Sequence, residues 1–257
     1  MNAPQNFPRE ARIETDFQSS SHALLALREH LVIDHPINTR VSTSQTNLFE
    51  LFELYAHFVY NFNSYVGALF SRISDIDAKA HIYENLLEEI GFQPGKQAQW
   101  GLHHGELYRS FLASLRKTSA YRSVISEDRT RELDLLSREI SERFYAGHFE
   151  ILRKGNDRLT VAAFSSIEGW VSREYAMWRE LLGQIGDDVD SVDLRTIDLH
   201  CECDIEHSRV LDSILRGFLT GDDQTLAAHE VNSGLLRGIA LSVGLFDDID
   251  RALATTH

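Results

Sequence analysis

The chain has 257 residues, with 25 Lys+Arg against 39 Asp+Glu and a formal net charge of −14. The length supports one large domain or two small ones with a substantial core, and 43% hydrophobic and 25% charged residues is an ordinary globular composition. The acidic balance argues against a protein that grips nucleic-acid phosphates, the two closely spaced cysteines, Cys201 and Cys203, against a disulfide-built secreted fold, and the lack of a long apolar run against a membrane span.

From Met1 to Phe17 the chain has no apolar core behind a basic start, so residues 1–18 read as a loose tail rather than a signal peptide, and the expected compartment is cytoplasmic. Three of the four prolines precede residue 40, and beyond them a periodicity near 3.6 dominates. A first helix is expected over Ser21–Ile33, stopped at Asp34-His35-Pro36. A long second one covers Thr46–Ile73, its apolar face interrupted by Glu50, Glu53 and His57. A third spans Asp77–Ile90, with Gly91 at its C-terminal cap and a turn at Phe92-Gln93-Pro94-Gly95. The fourth covers Gln97–Lys117, and the fifth opens at Ser126 or Asp128 and reaches Leu152. The sixth follows Gly155-Asn156-Asp157 and runs to Gln184. The seventh covers Leu194–Leu219, and the eighth follows Gly221-Asp222-Asp223 to the C-terminus. Nothing resembles a domain linker, so residues 19–257 read as a single all-α domain of seven or eight helices.

The most informative stretch is His200-Cys201-Glu202-Cys203-Asp204-Ile205-Glu206-His207. At 3.6 residues per turn, His200, Asp204 and His207 share one narrow arc, which continues to Ile197 and Leu211 and so faces the core. The two cysteines lie off that arc. Imidazole with carboxylate suits iron or manganese; a structural cluster in which Asp204 pairs with the two histidines is the competing reading.

Three more residues point inward. Glu168 shares a face with Val161, Phe164, Val171 and Tyr175, and Glu89 follows Ile82 and Leu86, whereas Glu88 shares a face with His81 and Glu84 and reads as solvated. His104 lines up with Trp100, Tyr108, Phe111 and Leu115; His103 lines up with Gln99 and Ser110. Three carboxylates and three histidines from four helices are the inventory for two irons and a carboxylate bridge inside a bundle. The paired Glu-x-x-His motifs of a ferritin-like site are absent.

His200-x-x-x-Asp204-x-x-His207 resembles the ligand helix of the haem-oxygenase-like diiron oxidases and oxygenases. Asn85-Leu86-Leu87-Glu88-Glu89-Ile90-Gly91 resembles that family's Asn-x-x-(Asp/Glu)-Glu-x-Gly motif, His104-Gly105-Glu106-Leu107-Tyr108 its His-x-x-Leu-(Tyr/Phe) motif, and Ala162–Glu168 the helix bearing its bridging glutamate. The resemblance runs from about Asn47 to Leu245. It implies the seven-helix haem-oxygenase-like bundle and two ferrous ions, with O2 as co-substrate. Glu89, His104 and His200 would hold one iron, Asp204 and His207 the other, and Glu168 would bridge. It also implies oxidation of an amine, amino acid or fatty acid by N-hydroxylation, C–C cleavage or desaturation, as in natural-product metabolism. Where members that N-oxygenate carry an extra carboxylate, this chain has Asn61 and Asn63, and where the member that consumes its own tyrosine and lysine has that lysine, it has Trp178.

Two rivals remain. One is a cofactorless enzyme on the same fold, of the pyrroloquinoline-quinone synthase or thiaminase type. The other is a non-enzymatic helical binding protein. The expected partners are a small-molecule substrate, with neither nucleic acid nor membrane; an electron donor and a homodimer stay open. Trp170, Tyr175 and Trp178 read as core or pocket wall. The nine other histidines, His57, His81, His103 and His148 among them, read as core or surface residues.

Overall fold

The structure, a computed structural model, describes residues 20–28, 30, 32–92, 103–220 and 223–254, without the side chains of residues 187, 188 and 202–204. The tail expected over 1–18 and the first turns of the helix expected from Gln97 lie outside the described residues. The helices are α1 (residues 20–28), α2 (Pro36–Ser42), α3 (Gln45–Arg72), α4 (Ile76–Glu89), α5 (His104–Leu115) and α6 (Ser119–Val124). They continue with α7 (Glu127–Lys154), α8 (Asp157–Glu168), α9 (Val171–Leu182), a 3-10 turn (Asp187–Ser191), α10 (Arg195–Phe218) and α11 (Gln224–Ala254). Among the described residues there is no strand, and no helix is long and apolar enough to cross a membrane.

Local chemistry sets the helix ends. The side chains of Ser44, Asp75, Thr118, Ser126 and Asn156 each accept a hydrogen bond from the backbone N–H three residues on. At the end of α4, Gly91 takes a φ of +87°, and Gly91 N and Phe92 N donate to Glu88 O and Leu87 O. This left-handed turn halts the helix directly after Glu88-Glu89, as expected for Gly91.

Two expectations need correction. Pro36 starts α2 instead of ending the region in a turn: its missing N–H is harmless at a first helical position, and His35 Nδ1 accepts from Ile37 N. The single helix expected up to Gln184 breaks at Gly169-Trp170, so Glu168 ends α8 instead of lying in mid-helix. The glycine at the break makes room for a buried arginine: a Cβ on Gly169 would lie 2.1 Å from Arg28 Nε. The guanidinium of Arg28 is bound to Ser165 of α8 and to Ser208 and Asp212 of α10, which ties α1 to both helices.

Helix α3 is the central element, buried almost all round from Asn47 to Val59. Its two buried acids are neutralised by bidentate arginines: Arg129 of α7 holds Glu50 at 2.7 and 3.0 Å, and Arg116 holds Glu53. The most extensive packing is between α8 and α11, followed by α3 with α7. Gly234 and Gly238 let α11 approach α8 so closely that a Cβ there would meet Leu159 O at 2.2 Å and Ala163 O at 2.5 Å.

The buried acid of α9 has no such cation. Glu174 of α9 is fully buried, takes a 3.3 Å hydrogen bond from Asn38, and forms no ion pair among the described residues. Burial pushes its carboxyl from the ordinary 4.5 up to about 8. The folded chain therefore keeps a proton that the unfolded chain releases. The contribution of Glu174 to stability is fully present below pH 4.5 and is lost as pH rises towards 8, by about 3 kcal/mol at pH 7. Glu174→Gln is expected to raise the melting temperature at pH 7–8 and to lose that advantage towards pH 4.5; thermal melts across the pH range check this.

Candidate metal centre

Glu89, His104 and His200 are brought together by α4, α5 and α10. All three are buried, and each offers a ligand atom within 4.8 Å of the others'. Glu89 Oε1 lies 2.8 Å from His104 Nδ1, and the His104 and His200 rings sit 4.7 Å apart. Ligands held about 2.1 Å from one ion are themselves about 3–4 Å apart, so this spacing fits a shared cation. His200 Nδ1 lies 2.6 Å from Thr196 O. A carbonyl only accepts, so Nδ1 carries the hydrogen and Nε2 keeps its lone pair for a metal. Tyr175 stacks on the same ring at 4.3 Å and 11°, which fixes its plane.

A second group adjoins the first. Glu168 Oε1 accepts from Asn85 Nδ2 at 3.3 Å, and its Oε2 lies 3.7 Å from His207 Nδ1. Asn85 Nδ2 also lies 3.1 Å from His207 Nδ1, and Glu88 Oε2 lies 2.9 Å from His207 Nε2. An amide nitrogen donates and a carboxylate accepts, so Nε2 carries the hydrogen and the Nδ1 lone pair accepts from Asn85, with Glu168 beside it. Two polar atoms here, Asn85 Oδ1 and His81 Nε2, are buried without a hydrogen-bond partner among the described residues. Burial and the adjacent His207 push His81 down to about 4, so its ring is neutral at pH 7. Neutral imidazoles, carboxylates and unmet polar atoms converging on one buried spot form a donor set that fits iron.

Glu168 is shared between the two groups. It touches His207 on one side, and on the other it lines a cavity of about 20 Å³ together with Glu89 and His200. That volume is room for a water-sized molecule. The rest of the wall is Tyr55, Phe58, Val59 and Phe62 of α3 with Val171 and Tyr175 of α9.

The structure thus gathers Glu89, His104 and His200 at one point, with Glu168 and His207 beside them. Asp204 belongs to α10, and its side chain lies outside the described residues. His103 is separate: it is the N-terminal cap of α5, its Nδ1 accepting from Glu106 N at 3.2 Å. Trp170 and Trp178 are fully buried core, and of the three aromatics only Tyr175 lines the cavity.

Sequence reasoning placed Glu88 in solvent, and the structure corrects this, because the polar face it shares with His81 packs against His207. The signal that could have found it is the i, i+4, i+7 spacing of His81, Asn85 and Glu88 on one helix. His57 and His35 also gain acids, Asp134 at 3.0 Å and Asp247 at 3.1 Å, from distant parts of the chain.

A family model described as iron-containing redox enzyme matches residues 50–242, a span that includes every residue of both groups. Two crystal structures of a CADD-like protein of unknown function from Nostoc punctiforme PCC 73102 resemble the chain. One aligns with a TM-score of 0.65 at 14% identity, covering 93% of this chain and 99% of that one. The other aligns with a TM-score of 0.62 at 12% identity, covering 95% and 98%. At these identities the likeness is one of fold. No curated protein matches the sequence.

Proposed function

This chain belongs to the iron-containing redox enzyme family, and from that membership we propose that it is a non-haem diiron enzyme that uses O2 to oxidise a small organic substrate. The fold is the all-α haem-oxygenase-like bundle expected from the sequence. The observation that carries the proposal is the buried convergence of Glu89, His104 and His200, with Glu168 linking them to His207.

Glu89, His104 and His200 would hold one iron and His207, with Asp204, the other, Glu168 serving both. When bound, two ferrous ions would supply two of the four electrons needed to reduce O2 to water, the substrate or an external donor supplying the others. The chain's own contribution is placement. Thr196 and Glu88 hold the two imidazoles in the tautomers that turn a lone pair inward. The aromatic wall of α3 and α9 keeps bulk water from the carboxylates. An amine, amino acid or fatty acid is the substrate class this reading carries, in natural-product biosynthesis within the cytoplasm.

The test is anaerobic loading with ferrous iron followed by O2. Iron-dependent O2 uptake that a chelator abolishes is expected. Iron-loaded protein that consumes no O2 would contradict the proposal, and oxidation of a substrate that survives complete metal removal would favour a cofactorless reaction. The same assay separates the role of Glu88. Glu88→Ala removes a carboxylate that orients His207 from outside the metal, so it is expected to weaken one of two iron-binding steps by about 10–100-fold and leave the other unchanged. Ferrous titration by calorimetry reads both steps.

A further inference from the structure

Five tyrosines have rings on or near the cavity, and they differ in what their hydroxyls meet. Tyr108 and Tyr145 donate to backbone carbonyls, of Phe52 at 2.9 Å and Phe58 at 2.7 Å. Tyr175 stacks on His200, and the Tyr55 hydroxyl is buried without a hydrogen-bond partner among the described residues. The Tyr65 hydroxyl meets a side-chain base: it lies 3.2 Å from His148 Nδ1. Tyr121, farther off, donates to Glu53, but Arg116 neutralises that carboxylate and the Tyr121 ring packs on Phe49 outside the cavity.

The Tyr65–His148 pair is fully buried on the α3–α7 interface among aromatic rings: Phe144 at 4.6 Å from His148, and Phe149, Tyr145 and Phe164 at 5.7–6.1 Å from Tyr65. His148 Nε2 has no hydrogen-bond partner among the described residues, so Tyr65 is the ring's polar contact. A buried imidazole left half unmet costs stability, and a core that needed only volume would hold a leucine or phenylalanine here. The pair is one ring from the metal centre: Phe62, a wall of the cavity with Glu168, lies 6.5 Å from Tyr65 and 6.3 Å from Phe164, which sits one turn before Glu168.

Loss of an electron turns a phenol into a far stronger acid than any imidazolium. A carbonyl cannot take the released proton, whereas an imidazole can. Burial pushes Tyr65 up and His148 down to about 3, so at rest the pair is a neutral phenol and a neutral imidazole with one shared hydrogen bond.

We propose that Tyr65 is a one-electron donor to the oxidised iron site and that His148 takes its proton, an inference that rests on the diiron reading above. In this step Tyr65 loses one electron and the site, previously oxidised by O2, gains it. The phenolic O–H bond breaks and an N–H bond forms at His148 Nδ1. The products are a neutral phenoxyl radical, an imidazolium, and a site reduced by one electron. The burial of the pair keeps water from the radical, and the proton stays in place for its return when a reductant re-reduces the tyrosine.

The experiment is rapid-freeze EPR of ferrous-loaded protein mixed with O2, with iron content and O2 uptake measured on the same samples. The wild-type chain is expected to give a tyrosyl signal that narrows with ring-deuterated tyrosine, persists in Tyr145→Phe and is lost in Tyr65→Phe. Exchange of the wild-type protein into D2O is expected to remove one proton coupling, that of the imidazolium hydrogen bond, which tests the assignment without any variant. A signal of equal size in Tyr65→Phe, a radical with no exchangeable coupling, or iron-loaded protein that consumes O2 without any tyrosyl signal would overturn the relay and leave the diiron reading standing. A chain that binds no iron would overturn both.

Discussion

Glu168→Ala is expected to reduce the iron bound per chain from two to one or none and to lower iron-dependent O2 uptake by at least about 100-fold, beyond the effect typical of residues outside the metal's own ligands. The reason is position. Glu168 is the last residue of α8, held there by the break at Gly169, and it touches both groups. Its removal also deprives Asn85 Nδ2 of an acceptor and His207 Nδ1 of its carboxylate neighbour. The metal-free chain should not unfold, because the substitution takes an acidic side chain out of a buried interior, where burying an ionisable group is itself costly. Equal iron content in wild type and variant, measured after desalting, would remove Glu168 from the centre.

Trp178→Ala is expected to do the opposite. Trp178 is fully buried and packs edge-on against Phe52 at 5.5 Å and Tyr55 at 4.9 Å, with Tyr175 also at 4.9 Å. Truncating a buried tryptophan costs about 3–5 kcal/mol through lost transfer energy and the cavity left behind. For a chain of this size that lowers the melting temperature by roughly 6–20 °C. Trp178 does not line the cavity, so the iron content should stay at two. Together the two variants separate the residues that hold metal from those that hold the fold.

The helical plan was legible because apolar residues recur at 3.6 and capping residues stand at most helix starts. The candidate site was legible where ligand-type residues interrupt an apolar face: Glu89, His104 and Glu168 stand out by their neighbours, and His200 and His207 by sharing an arc with Leu211. What escaped depends on contacts between distant segments. Glu88 sits on a polar face that reads as solvated until α10 is packed against it. The break at Gly169 has no proline to announce it, and the side chain packed against that glycine, Arg28, lies over a hundred residues earlier. Tyr65 and His148 are 83 residues apart, and neither carries a local sign of the other. Glu50 and Glu53 interrupt α3 in sequence, yet with their arginines they lie in a stretch that is buried almost all round.

The most direct measurement is Mössbauer spectroscopy of the chain loaded with isotopically enriched ferrous iron and then exposed to O2. Two irons sharing Glu168 should give a diamagnetic ferric pair, its spins coupled through the shared ligands, with close to two irons per chain. Isolated paramagnetic ferric ions, or iron that washes away from the folded protein, would contradict a diiron centre at Glu89, His104, Glu168, His200 and His207.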